Sequence, residues 1–197
     1  MARPKTYNRE EALQDACDAF WKFGYRGLSV RALENETELN QFAIQKDFGG
    51  KQSIYLEALQ LYVDETERSI LAPMREGGID GIEHFFRSLS DASAYASSQW
   101  GCMVVNAGVE NAVLENGELA QIANEYWDSL SSSFHSALRR SDRDGELRKG
   151  LDLDDSTNAL VVAAVGIHTA NRIENSLSAG APLARLILHT IHSWKKE

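Results

Sequence analysis

Gly49, Gly50 and Lys51 stand together in "DFGGKQS", and a glycine pair before a lysine has the chemistry of a phosphate cradle. Backbone amides come close where no Cβ stands, and the ammonium supplies charge. A nucleotide loop also needs a further glycine, a preceding strand and a Ser or Thr after the lysine, and here Gln52 follows Lys51. The stretch therefore reads as a joint between helices. Cys102, just after Gly101 at an expected helix start, is a second candidate, because the helix dipole there favours the reactive thiolate. The alternative is a packed, inert thiol, and Cys17 on the core side of the first helix reads that way. His189 and His192 lie three residues apart on the last expected helix, but no carboxylate or cysteine in that helix completes a metal site. No G-x-S-x-G, H-E-x-x-H or Walker pattern occurs, so no catalytic residue, metal or cofactor is expected.

The 197 residues suffice for one or two domains with a sizeable core. The composition, 43% hydrophobic, 25% charged and three prolines, is globular and helix-rich. The longest apolar run, "ALVVAAVGI", is about half of a membrane span. The start, "MARPKTYNREE", carries charge with no apolar stretch behind it, and the two cysteines form no disulfide framework. A reduced, cytoplasmic protein without membrane contact is expected. The net charge of -9 is unevenly placed: residues 1–51 carry eight basic and eight acidic side chains, the remainder 12 and 21. A neutral first segment with a basic tip can meet a phosphate backbone that the acidic remainder would repel.

These residues must be placed by helices. Leu13, Ala16, Phe20 and Phe23 recur at helical spacing after an Asn8 cap, with Gly24 and Gly27 at the end. Ser29 caps a short helix with Val30 and Leu33, "TELN" interrupts, and a third helix follows from about Gln41 to Asp47. A longer one begins at Lys51. Beyond Pro73 and the "EGGIDG" loop, helices are expected over 81–98, 102–114, 117–141, 154–177 and 182–195, separated by turn residues. No alternating stretch makes a strand. The expected fold is all-α: an N-terminal three-helix helix-turn-helix domain (1–52), joined by a long helix to a C-terminal helical bundle (53–197) that dimerises.

Two short helices across a tight turn place the second in a DNA major groove. Leu33, Leu39, Ile44 and Phe48 would hold them together while Gln41, Phe42, Gln45 and Lys46 face outward. Gln can pair with adenine and Lys with guanine or phosphate. From Arg9 to Leu59 the sequence resembles the DNA-binding domain of the TetR/AcrR transcriptional regulators. The match runs in fixed order through Ala12, Ala16, Phe20, Gly24, Tyr25, Ser29, Leu33, Thr37, Leu39, Ile44, Phe48, Gly49, Lys51 and Tyr55. The resemblance implies that Gln41, Phe42 and Ala43 look toward bases, that Gln45, Lys46 and Lys51 lie nearer the backbone, that Arg31 also binds DNA, and that Arg3 and Lys5 form an arm. Glu38 stands in place of the family's turn glycine, and Gln45, Lys46 and Asp47 depart from its usual aromatic and histidine residues.

"WGCMVVNAGVEN" and the last two helices resemble one large subgroup of the same family. That resemblance implies a symmetric dimer through Leu160, Ala163, Ala164, Ile167, Leu186, Ile187 and Thr190. It also implies a small-molecule pocket among Phe86, Leu89, Trp100, Cys102, Met103, Asn106, Tyr126, Trp127 and His168. The function so implied is a ligand-responsive regulator, a repressor that binds a palindromic double-stranded operator as a homodimer and is released by an effector of unknown identity. Two alternatives stand beside it: a protein-interaction module on a degenerate helix-turn-helix, and a Cys102-based electrophile or oxidant sensor.

Overall fold

The computed structural model describes residues 7–90 and 98–196. Its helices are α1 (Arg9–Gly27), α2 (Val30–Thr37), α3 (Gln41–Phe48), α4 (Lys51–Thr66), α5 (Ala72–Ser88), α6 (Met103–Leu114), α7 (Gly117–Arg143), α8 (Leu153–Glu174) and α9 (Ala181–Trp194). A π-helical turn, Glu67–Leu71, joins α4 to α5. The fold is all-α as expected; among the described residues the sole β feature is an isolated bridge between Leu147 and Lys195.

The short helices start where their caps predict. Asn8, Ser29 and Asn40 accept the amides of Glu10, Ala32 and Ala43 at 3.0, 3.1 and 2.9 Å, each meeting a donor that the first turn cannot bond internally. At the end of α3, Gly49 turns left-handed, its N–H reaching Gln45 O and that of Gly50 reaching Ile44 O, both at 3.1 Å. Gly50 offers α4 no side-chain cap. Phe20, Leu33, Ile44, Ile54 and Leu59 are buried between these helices and α1.

The body is built around α7, which packs against α5 and α8. Phe85, Phe86 and Phe134 form its aromatic centre, with ring centroids 5.2 to 5.9 Å apart. Here the expected "EGGIDG" loop is corrected: α5 runs through it and kinks at Gly78, where φ is 60°. The Ile79 amide freed by the kink donates to Ser141 Oγ on α7 at 2.8 Å, and a Cβ on Gly78 would lie 2.6 Å from that oxygen. Glycines that read as a helix breaker here allow a close helix crossing. The helix expected over 81–98 ends at Ser88, and 91–97 lie outside the described residues.

Glu38 closes α2 in the left-handed region, with φ 54°, a conformation that penalises a residue with a Cβ by roughly 1 to 2 kcal/mol. Glu38→Gly is therefore expected to raise stability by about 1 kcal/mol, less than the full strain because glycine has more freedom to lose on folding. Urea unfolding measures this, and a destabilised variant would contradict it.

Candidate functional site

The outward face of α3 is the first part of the site. Gln41, Gln45 and Lys46 are exposed and Ala43 is half-buried, while Ile44 and Phe48 point into the core. Phe42 is 72% exposed, the Lys46 ammonium lying 5.7 Å from its ring centre. This is the face predicted from the spacing, and Arg31 on α2 is also exposed. Asp47 does not stand alone beside it, since its carboxylate accepts the Tyr7 hydroxyl. Arg3 and Lys5 lie outside the described residues.

Lys51 is placed differently from expectation. Its ammonium donates to Tyr25 O at 2.5 Å and sits 4.2 Å from the centre of the Tyr25 ring, and burial lowers its pKa while nearby Glu110 opposes the shift. The side chain closes the C-terminal end of α1, so the phosphate contact expected of it is corrected to a helix-capping contact.

That end of α1 is where the two halves of the chain meet. Gly24, at φ 75°, breaks the helix one turn before it ends, leaving the next amides without acceptors in their own helix. The Glu110 carboxylate on α6 takes them, accepting Tyr25 N–H at 2.9 Å and Arg26 N–H at 3.2 Å. A Cβ on Gly24 would stand 2.8 Å from Glu110 Oε1. Trp21 Nε1 donates to Gly101 O at 2.8 Å, and Arg172 from α8 donates to Trp21 O and Lys22 O at 3.2 and 2.8 Å. Glu110, Arg172 and the Trp21 indole were not singled out from sequence. Their partners are backbone groups 80 to 151 residues distant, and a backbone partner leaves no mark in residue type.

The second part is a narrow gap between α5, α6, α7 and α8 with about 10 Å³ of free space, room for about one water. Phe85, Val105, Leu130, Ala164 and Val165 form apolar walls, and Cys102, Tyr126, Trp127 and His168, expected to face a ligand, border it. Five other expected residues do not border it. Phe86 stacks on Phe134, Leu89 is buried in the core, Met103 packs against Cys17, Trp100 meets Trp21 edge-on, and Asn106 donates to Trp100 O. Aromatic and polar types on central helices do not by themselves distinguish cavity walls from core. Cys102 is the N-cap of α6, but it is 1% exposed and its thiol donates to the Tyr126 hydroxyl at 3.7 Å, the placement of a packed thiol. Burial first, and Cys102 next, push the Tyr126 phenol well above its ordinary pKa. Nδ1 of buried His168 has no hydrogen-bond partner among the described residues, and burial holds its pKa down at about 4.

The expected dimer residues divide. Leu160, Ala163, Ala164 and Ile167 are buried within the chain and are corrected to core. Leu186 is exposed, Ile187 and Thr190 are half-buried, and the bare apolar residues of α8 are Val162 and Ile173. His189 and His192 are both exposed, and no cluster of metal-ligating side chains occurs among the described residues. No helix of the described residues is long and apolar enough to cross a membrane.

A helix-turn-helix with an open polar second helix, bonded at its base to a helical body, defines a DNA-binding transcriptional regulator. The family model "Tetracyclin repressor-like, C-terminal domain" matches residues 78–187, and the chain belongs to the TetR family. It is 24% identical over 161 residues to the HTH-type transcriptional regulator YezE of Bacillus subtilis, covering 81% of this chain and 82% of that one. A TetR-family regulator from Cytophaga hutchinsonii has the same fold, with a TM-score of 0.82 at 15% identity over 96% of this chain and 95% of the other. So does a cysteine mutant of the TetR-family regulator CifR solved with 26-bp double-strand operator DNA, with a TM-score of 0.74 at 22% identity over 98% of this chain and 100% of the other.

Two measurements check the geometry. Removing the carboxylate in Glu110→Ala is expected to speed amide exchange at Tyr25 and Arg26 about tenfold, the equivalent of one net hydrogen bond; unchanged rates would mean that the bonds do not form in solution. For His168, the unfolded imidazole titrates near 6.5 and the folded one at about 4. Its contribution to stability is complete above pH 6.5 and is lost as the pH falls toward 4, by up to about 3 kcal/mol. The stability difference between wild type and His168→Leu should therefore shrink over that range, and a constant difference would contradict the burial.

Proposed function

We propose that the chain is a repressor that binds a palindromic operator as a homodimer and is released by a small molecule held in the body. Residues 1–52 form the DNA-binding unit and 53–197 the effector-binding and dimerisation unit, working in the cytoplasm. The observation that carries this is the junction at α1: Glu110, Gly101 and Arg172 of the body grip the helix that supports α3. A change in the body thereby moves the reading helix. Gln41, Phe42, Ala43 and Gln45 meet bases, the Phe42 ring suiting a thymine methyl, while Arg31 and Lys46, with Arg3 and Lys5, meet phosphates. The operator-bound CifR neighbour and the name of a second relative, the HTH-type transcriptional repressor ComR of Escherichia coli, support the direction of the effect.

The dimer is assigned to the face bearing Val162, Ile173 and Leu186, which are 70%, 77% and 60% exposed, with Ile187 and Thr190 beside them. Gly166 lets α9 pack close, since a Cβ there would lie 3.3 Å from Leu183.

The test is an anisotropy titration on the DNA upstream of the gene at several salt concentrations. Lys46→Ala should lower the slope of log K against log salt by about 1, Lys51→Met should leave it unchanged, and Leu186→Glu should weaken binding together with sedimentation as a monomer. If no sequence-selective complex forms at low salt, the interaction-module alternative replaces this function.

A further inference from the structure

We propose that Glu34 sets how far the chain discriminates between DNA sequences: its carboxylate fills the N-terminal end of the reading helix α3, lowering affinity for DNA of any sequence while holding Gln41 in place for base contact. This rests on α3 entering the DNA groove, as in the regulator just proposed, and adds a residue that works against unselective binding.

The contact joins two helices. Glu34 stands half-buried on α2, and the Gln41 amide at the first turn of α3 donates to its Oε1 at 2.5 Å. Asn40 already caps α3 locally, its Oδ1 accepting Ala43 N–H at 2.9 Å. A neutral cap leaves the partial positive charge of the helix end in place, whereas Glu34 sets a full negative charge on it. Hydrogen bonds to a carboxylate are roughly twice as strong as neutral ones, so the Gln41 backbone is held firmly across the turn at Glu38.

What this end of the helix does without such a residue follows from DNA chemistry. The N-terminal residues of a reading helix meet base edges in the groove, and amides at a helix N-terminus bind phosphate oxygens. Phosphate contacts carry no sequence information and supply essentially all of unselective binding. Glu34 takes an amide that suits a phosphate oxygen and places a like charge near the DNA backbone. Arg31 and Lys46, both exposed, attract DNA of every sequence alike, and Glu34 subtracts from that attraction. Selectivity is a difference between two affinities. Gln41 fixed by the carboxylate raises one of them, and the charge of the carboxylate lowers the other. The even balance of eight basic and eight acidic side chains over residues 1–51 points the same way.

An anisotropy titration of the full chain tests this on two duplexes, the DNA upstream of the gene and the same bases in scrambled order. Glu34→Gln keeps an oxygen for the Gln41 amide and removes the charge. It should bind the scrambled duplex about fivefold more tightly than wild type, the effect of one like charge near a phosphate in water. The upstream DNA should gain less, because the weaker neutral bond leaves Gln41 looser. Glu36→Gln removes the same charge from an exposed position of α2 that the helical period turns to the opposite flank, and should change scrambled binding less than twofold. Glu34→Ala should bind the scrambled duplex more tightly and the upstream DNA more weakly than wild type, whereas a purely structural Glu34 would weaken both. Scrambled binding by Glu34→Gln no tighter than wild type, an equal gain from Glu36→Gln, or a wild-type preference for upstream DNA that Glu34→Gln leaves unchanged would each overturn the proposal. Should Glu34→Gln fail to fold, Glu34→Ala decides by the same two affinities. Wild type without preference for the upstream DNA, together with a fivefold gain in Glu34→Gln, defeats the operator-binding regulator and leaves the role of the charge standing. Selective binding by wild type without that gain does the reverse, and binding of neither duplex by wild type and Glu34→Gln alike defeats both.

Discussion

The last turn of α1 cannot satisfy itself. Gly24 interrupts the helix with φ 75°, and the amides of Tyr25 and Arg26, which would otherwise bond to carbonyls one turn earlier, face the Glu110 carboxylate of α6. At the other pole of the same turn Tyr25 O accepts the Lys51 ammonium at the start of α4. An anion at the amide end and a cation at the carbonyl end is the arrangement that the peptide dipoles favour. The turn is therefore a clasp with one jaw from each half of the chain. Phe20 and Tyr25 of α1 also pack against Tyr55 of α4, so packed contacts run from α6 through the clasp into the helix-turn-helix unit.

That arrangement sets what an effector must do. A ligand shifts an equilibrium only by its difference in affinity for two states, and coupling of about 1 to 3 kcal/mol is typical between linked sites. The gap between α5, α6, α7 and α8 is almost filled by its own walls, so a molecule larger than a water could be held there only by a different packing of α6 and its neighbours. Glu110 sits two turns along α6 from Cys102, which borders the gap. Two turns of one helix make a short, stiff connection, and the bonds at its far end are weak enough individually for that free energy to alter.

The helix-turn-helix was legible because its instructions are local. Asn8, Ser29 and Asn40 cap within three residues of themselves, Gly49 ends α3 on its own backbone, and the outward set on α3 follows from a period of 3.6. Lys51, Glu110 and Arg172 were misread or missed for the opposite reason: they bond backbone groups that any residue could supply. The "EGGIDG" stretch misled because glycine pairs ordinarily break helices, while Ser141 on α7 receives the amide that this break frees. The gap in the body was half legible. Residue type identified Cys102, Tyr126, Trp127 and His168, and only packing separated them from Phe86, Leu89 and Met103.

The α8 residues expected at a dimer seam lie in the core for a reason the sequence hides. From Leu160 to Ile167 helix α8 is apolar all round, so periodicity selects no side. A soluble helix of that composition is one buried on two sides. The chain covers one side, taking Leu160, Ala163, Ala164 and Ile167 into its core. It leaves Val162 and Ile173 bare, as is Leu186 of α9. Apolar area stabilises burial by about 25 cal/mol per Å², so these side chains favour a cover. A second copy of the same face covers itself by a twofold axis, in which each patch meets its own image. The proposed palindromic operator would have that symmetry, and the apolarity that hides the face in the sequence is what such a pairing would use.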